Sequence, residues 1–276
     1  MALKLHGLPM STCTCTVMTC LNEKGADFKL VPVDLFATEN KQPSFLAKNP
    51  FGLIPVLEDE DLTLFESRAI TAYVAEKFKE TGHDLIRHEN LKDAVMVMVW
   101  KEVESQQYHP AICPIVYQYF VAPLRGTTPD QTVIDANLEK LGKVLDVYEA
   151  RLSNTKYLAG DFYTLADLHH LSYTHYFMKT PWASFINDRP HVKAWWEDIS
   201  SRPAFQKVAD QVFDEPKLQG IAAAWIDVED HLFDPPAKKL ITELIENPKI
   251  GLPTDEAVVA VEEAELCMVL HVYEEL

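Results

Sequence analysis

Strand-like patterning is confined to the opening stretch of this chain; from about residue 90 onward, apolar side chains recur only at helical spacing. A chain divided in this way must build a small sheet early, complete it with nearby helices, and continue as a helical unit. Within the first part, Leu3-Lys4-Leu5-His6 alternates apolar and polar side chains, as a short half-buried strand does. Ser11 and Thr12 can cap a helix that runs to about residue 24, with Val17, Met18 and Leu21 on its inner face. A second strand is expected at 28–33 and a short helix at 41–47. Ile54-Pro55-Val56-Leu57 and Leu62-Thr63-Leu64 form a hairpin around an acidic turn at 58–61, and an amphipathic helix at 66–79 closes the unit.

The order β-α-β-α-β-β-α over residues 1–81 is that of a thioredoxin-like fold. Residues 90–215 read as an all-helical domain, with helices near 90–120, 130–151, 164–179, 190–199 and 202–212 separated by short linkers containing Gly, Pro or Asn. Thr164 and Asp167 supply the N-cap and N3 positions of a capping box. His191 with Trp195 and Trp196 reads as helix packing. The expected class is therefore α+β: a thioredoxin-like domain, an all-helical domain and a helical tail. At 276 residues the chain is long enough for two units, each with a core.

The tail, 221–276, is a separate compositional unit. It carries 13 acidic and 3 basic residues, a net of −10 out of the −17 of the whole chain. It also repeats 96–151 at a constant offset. Trp225 matches Trp100, Pro235 matches Pro110, and Val269-Leu270-His271-Val272-Tyr273-Glu274 matches Val144-Leu145-Asp146-Val147-Tyr148-Glu149. Two helices are expected there, near 221–246 and 255–274, with Phe233 in the place of Tyr108. The acidic balance argues against nucleic acid or an anionic membrane as partner, and no run of about 18 uncharged apolar residues suggests a membrane span. Cys13, Cys15, Cys20, Cys113 and Cys267 are odd in number and follow no disulfide framework, which fits a reducing compartment. They complete no four-ligand metal set, and the N-terminus lacks the basic and apolar regions of a signal peptide, so a cytoplasmic protein without metal is expected.

Three segments carry chemistry: Gly7-Leu8-Pro9-Met10-Ser11-Thr12-Cys13-Thr14, Asn49-Pro50-Phe51-Gly52-Leu53-Ile54-Pro55, and Leu64-Phe65-Glu66-Ser67-Arg68-Ala69-Ile70. With Val144-Leu145-Asp146-Val147-Tyr148-Glu149 and Tyr157-Leu158-Ala159-Gly160-Asp161, they resemble the phi class of plant glutathione transferases over about residues 2–214. The resemblance implies a cytosolic homodimer of plant origin, glutathione as co-substrate, and attack of its thiolate on hydrophobic electrophiles. It also extends to glutathione peroxidase activity, and to an alternative role as a carrier of flavonoids or other hydrophobic ligands with little turnover.

The thiol of glutathione is mostly protonated at neutral pH, while the thiolate is the nucleophile. A hydroxyl at a helix start can stabilise that charge, aided by unpaired N–H groups and the helix dipole. The resemblance gives this role to Ser11, with Thr12 beside it. Ile54 and Pro55 match the cis-proline site whose backbone pairs with the cysteinyl unit. Glu66 and Ser67 suit the γ-glutamyl ammonium and carboxylate, and Lys41 suits the glycyl carboxylate. Three positions depart from the family pattern: Asn40 where histidine is common, Leu53 where glutamine is usual, and Thr16 where arginine is usual. Cys13, Cys15 and Cys20 suggest a rival chemistry, in which a cysteine at the start of this helix makes the protein a thiol transferase working through mixed disulfides. The electrophile is expected between the domains, against Met10, Leu35, Tyr108, Cys113, Tyr117 and Phe120, with Ile115 and Val116 on the same helix.

Overall fold

The computed structural model describes residues 3–35, 37–124 and 127–212. A four-stranded mixed sheet comprises β1 (Leu3–Gly7), β2 (Phe28–Pro32), β3 (Val56–Asp59) and β4 (Leu62–Leu64), in the order β2-β1-β3-β4. β1 runs parallel to β2, pairing Leu5 with Leu30, and antiparallel to β3, pairing Leu5 with Leu57. Helices α1 (Thr12–Glu23), α2 (Pro43–Leu46) and α3 (Ser67–Lys77) complete the thioredoxin-like unit. Alternation within β3 explains the layering. Leu57 joins the main core with Val17, Leu21, Ile70 and Val74 of α1 and α3, whereas neighbouring Val56 points the other way, into a small cluster with Val33 and Phe45.

The hairpin turn is shorter than the sequence suggests. Glu58 and Asp59 stay in β3, paired with Thr63 and Leu62, so the turn narrows to Glu60 and Asp61, with Glu60 at φ 56°. These acids remain in the strand because donors from other elements meet them: Lys48 and His6 bind Glu58, and Lys77 and Tyr73 bind Asp59.

Among the described residues, the second unit has helices and no strand. α4 (Leu91–Val103), α5 (His109–Val116) and α6 (Ala122–Leu124) run nearly end to end, joined by wide π turns at Glu104–Tyr108 and Tyr117–Val121. Pro110 and Pro114 each lack an N–H for the helical ladder, and the wide turns flank the segment that carries them. α7 (Gln131–Leu152) starts on Asp130, whose carboxylate accepts from the Thr132 and Val133 N–H groups. Then come α8 (Leu165–Leu168), α9 (Leu171–Phe177), α10 (Ser184–Asn187), α11 (Pro190–Ser200) and α12 (Pro203–Val212). The capping box forms as the sequence indicates, with Thr164 as cap and Asp167 accepting from the Thr164 N–H at 3.0 Å. Trp195 and Trp196 are buried.

The two units share a core. Buried side chains form one continuous cluster from Leu3 and Leu5 to Trp195 and Val208, because α1 is covered by the sheet on one side and by helices on the other. α12 returns to α1, where Arg202 makes a two-pronged bond to Glu23 and stacks its guanidinium 3.8 Å from the Tyr163 ring centre. No helix among the described residues is long and apolar enough to cross a membrane, and none of their side-chain clusters could hold a metal. The helices expected at 221–246 and 255–274 lie outside the described residues.

Two core histidines tie stability to pH. Burial drives His169 well below its ordinary pKa and pushes His170 down to about 3. Both are held neutral in the fold and accept protons freely only when unfolded, so their contribution is present above about pH 6.5 and is lost as pH falls. Each adds a slope of about 1.4 kcal/mol per pH unit below that point. Asp167, raised to about 6 by burial, acts in the opposite sense. Urea titrations between pH 7 and pH 4.5 are expected to show a decline, and a flatter one in His170→Phe; an identical slope in the variant would exclude His170 as a source.

Candidate active site

Ser11 stands where β1 hands over to α1. Gly7 ends the strand against Thr14: a Cβ at this position would come within 2.6 Å of Thr14 Oγ1, so glycine permits the close approach. The chain then turns through Leu8, Pro9 and Met10, closed by a bond from the Ser11 N–H to the Leu8 carbonyl at 2.9 Å. Ser11 has extended backbone (φ −69°, ψ 126°) while its carbonyl accepts from the Cys15 N–H at 2.8 Å, which makes it the N-cap of α1. Its Oγ accepts from the Thr14 N–H over 3.4 Å. That contact uses a lone pair and leaves the hydroxyl proton to donate elsewhere. Ser11 is partly exposed and no acid occupies the first turn of α1, so the positive end of the helix dipole faces any anion brought to it.

The Ile54–Pro55 peptide is cis. The loop before it is built on buried Asn49, whose side chain donates to the Leu53 carbonyl at 2.7 Å and accepts from the Phe51 N–H at 3.1 Å. Asn40 is also buried, and its amide donates to the Gly52 carbonyl at 2.8 Å, so it braces this loop. Lys41 donates to the Phe51 carbonyl at 3.4 Å. Leu53 points its side chain into solvent. Asn40, Lys41, Leu53, Ile54 and Pro55 thus belong to one braced turn region.

Glu66 caps α3 in a conformation that non-glycine residues rarely adopt, φ 67° and ψ 107°, and its side chain is exposed. Such strain costs on the order of 1–3 kcal/mol and gathers at functional positions. Ser67, next to it, is buried and lines a small cavity together with Thr12, Cys13, Arg68, Glu104 and Tyr173. Arg68 makes a two-pronged bond to Glu104 at 2.8 and 2.9 Å. Burial raises the Glu104 carboxyl above its ordinary range, and Arg68 opposes the shift. The structure therefore brings Thr12 and Ser67 to one cavity, behind the start of α1.

The thiols are poorly placed for nucleophilic chemistry. Burial raises the pKa of Cys13 against the opposing influence of the Ser67 hydroxyl and Arg68, and pushes Cys15 up to about 12. Both shifts oppose the thiolate. Thr16 is buried too, donating to the Thr12 carbonyl at 2.9 Å and lying 3.0 Å from the Ser172 hydroxyl, so the place of the family's arginine is taken by a packing residue.

On the electrophile side the expectation needs correction. Tyr108 is 1% exposed, stacks on Tyr148 and is hydrogen-bonded to the Thr174 hydroxyl at 2.7 Å. It is a core residue, because its face of the helix turns toward α7 and α9; Ile115 and Val116 are buried likewise. Leu35 packs on the Val33–Phe45–Val56 cluster. Cys113 accepts from the Tyr173 hydroxyl at 3.4 Å, and Tyr117 is exposed. Met10 and Phe120 are partly buried and share a neighbour that sequence reading misses: the Tyr176 hydroxyl donates to the Met10 carbonyl, and its ring meets Phe120 edge-on at 5.3 Å. Tyr119 and Trp182 extend this aromatic group. The Tyr-x-x-Tyr spacing of Tyr173 and Tyr176 is the signal that could have found it, since it puts both rings on one helical face.

Comparison with known proteins agrees on the family. A model described as "Glutathione S-transferase, N-terminal domain" matches residues 1–76, and one described as "Glutathione S-transferase, C-terminal domain" matches residues 108–203. Glutathione S-transferase F13 of Arabidopsis thaliana is 60% identical over 209 residues, covering 76% of this chain and 95% of that protein. Glutathione transferase F7 from Populus trichocarpa is similar in structure, with a TM-score of 0.76 at 74% identity over 77% of this chain and 100% of its own. Glutathione S-transferase I of maize, solved with an atrazine glutathione conjugate, gives 0.73 at 50% identity, over 77% and 98% of the two chains.

Proposed function

The chain belongs to the phi class of plant glutathione S-transferases, and from that premise we propose that Ser11 activates the glutathione thiol for attack on hydrophobic electrophiles. The observation that carries the proposal is the place of the Ser11 hydroxyl: it caps α1 as an acceptor, which leaves its proton available to donate, and it sits at the positive end of the helix. A thiolate placed there gains a hydrogen bond and a favourable dipole, which lowers the pKa of the bound thiol. The thiolate sulfur then forms a bond to carbon of the electrophile while the leaving group departs with its electron pair. Glutathione lies along the braced loop of Ile54 and Pro55, its γ-glutamyl end at Glu66 and Ser67 and its glycyl carboxylate near Lys41. The strained backbone of Glu66 supports that placement. The electrophile lies against Met10, Phe120 and the aromatic group beyond.

The same thiolate can attack the O–O bond of an organic hydroperoxide, releasing an alcohol and a sulfenic acid of glutathione that a second glutathione converts to the disulfide and water. A carrier role is the second reading, favoured by the commitment of the Asn40 amide to the Gly52 carbonyl and by the exposed Leu53 side chain. Initial rates of glutathione conjugation to 1-chloro-2,4-dinitrobenzene test the two: saturable turnover supports the transferase, whereas tight flavonoid binding with no turnover supports the carrier.

We also propose a homodimer in the cytosol. The outer face of α4 leaves Leu91 77% and Met98 64% exposed, with Val95 and Val99 beside them at helical spacing. An apolar stripe of this kind suits burial against a second copy. Analytical ultracentrifugation is expected to give twice the mass of one chain; a monomer would refute the assignment.

A further inference from the structure

The helix α9 supplies none of the groups assigned to glutathione, yet its side chains converge on both sides of Ser11 from far along the sequence. Ser172 lies 3.0 Å from the hydroxyl of Thr16. Tyr173 lines the same cavity as Thr12 and donates its hydroxyl to Cys113 at 3.4 Å. Tyr176 donates its hydroxyl to the Met10 carbonyl oxygen at 2.7 Å.

The last of these bonds falls on a decisive peptide. The Met10 carbonyl and the Ser11 N–H belong to one planar unit that ends at the Ser11 Cα. Its N–H is held by the Leu8 carbonyl at 2.9 Å, and its C=O is held by Tyr176. With both ends pinned, the plane of the peptide and the position of the Ser11 Cα are fixed, and the hydroxyl is left with little freedom beyond its own rotamer. Without Tyr176, Leu8 and Met10 belong to an irregular loop that no strand ladder supports. A catalytic group must be held to within about 0.5 Å to act, so such support matters for rate more than for fold.

Tyr176 is suited to the task. It is buried, which excludes water that would compete for the Met10 carbonyl, and burial raises its phenol well above the ordinary range, so the donor proton is retained at any working pH. Its ring is fixed in turn by the edge of Phe120, on the segment that walls the electrophile side.

We infer that Tyr176 is a positioning residue for the transferase chemistry, holding the Met10–Ser11 peptide so that the Ser11 hydroxyl meets the glutathione sulfur. The inference rests on the assignment of Ser11 given above. It concerns a residue given no contact with glutathione or the reacting atoms in the function proposed above.

Tyr176→Phe in the full chain tests it, since phenylalanine keeps the ring and the Phe120 contact and removes only the hydroxyl. Loss of the bond is expected to lower kcat about fivefold, the equivalent of roughly 1 kcal/mol. The acidic limb of the pH–rate profile is expected to move up by about half a unit, as the bound thiol becomes less acidic. The KM for glutathione should change less than about twofold, because the binding groups are untouched. Amide exchange followed by mass spectrometry is expected to quicken in peptides spanning 8–13 and to stay unchanged in those from α7. A wild-type pH profile in the variant would overturn the inference, even if exchange quickened, because the bond would then be structural only. Unchanged exchange at 8–13 would overturn it as well. Should wild type and Ser11→Ala turn over alike, the Ser11 assignment itself fails, and exchange at 8–13 alone then decides whether Tyr176 holds the loop.

Discussion

Replacing Ser11 with alanine is expected to lower glutathione conjugation to 1-chloro-2,4-dinitrobenzene at least tenfold, about 1.4 kcal/mol of lost transition-state stabilisation. The hydroxyl has two partners in this scheme, and alanine removes both. As a cap it accepts from the Thr14 N–H over a long 3.4 Å, a contact whose loss costs about 0.5–1 kcal/mol of helix stability. As a donor it stabilises charge on sulfur, and that loss appears in the rate. The two are separable. A capping defect lowers the unfolding midpoint without moving the pH–rate profile, whereas loss of thiolate stabilisation moves the acidic limb toward the ordinary thiol range near pH 8.5. Ser11→Thr keeps a hydroxyl and is expected to retain part of the rate. An unchanged rate in the alanine variant would turn attention to the cysteines, against which the raised pKa values of Cys13 and Cys15 already weigh.

Asp167→Ala is expected to be the most damaging single change in the helical unit, at about 4 kcal/mol. One oxygen of Asp167 accepts from the Leu158 N–H and the Trp195 indole N–H, each at 3.0 Å; the other accepts from the Thr164 N–H at 3.0 Å and the Thr164 hydroxyl. The residue is fully buried, so alanine leaves these donors without water or partner. Each orphan costs on the order of 1–3 kcal/mol, and together they exceed the gain from losing a buried charge. Asp167→Asn offers a graded control. Its carbonyl can replace the first oxygen, but its amide sets donor against donor at Thr164, so about half the loss is expected. Urea unfolding at pH 7 measures both variants, and equal stability of wild type and Asp167→Ala would refute the account.

Much of this molecule is legible in short stretches of its sequence. The capping box of Thr164 and Asp167 is local: three residues of spacing and two residue types define it, and no distant element is needed. The cis site at Ile54 and Pro55 and the cap at Ser11 rest on motifs of the same short range. Where the sequence misleads, the reason is contact between distant elements. Glu58 and Asp59 look like turn residues by type, yet the strand keeps them because Lys48, Tyr73 and Lys77 arrive from other elements to pair with them. Tyr108 and Phe120 lie on one predicted helix, and periodicity marks the apolar face without saying which part meets a neighbour and which meets a cleft. Glu66 gives no sign of its backbone strain, since glycine, the usual marker of positive φ, is absent there. Tyr176 is hidden because its partner, Met10, is 166 positions away.

That distance sets the order in which the protein can become an enzyme during synthesis. The Ser11 loop leaves the ribosome well before the hydroxyl that pins it, 166 positions later, and before the arginine that locks α1 through Glu23. A nascent chain can form its sheet early, since β1 through β4 are close together in sequence, but the shared core stays open on one side until α9 and α12 follow. The apolar surface of the sheet unit therefore waits for its own C-terminal cover, and the support of the Ser11 loop arrives late rather than with the motif that contains it.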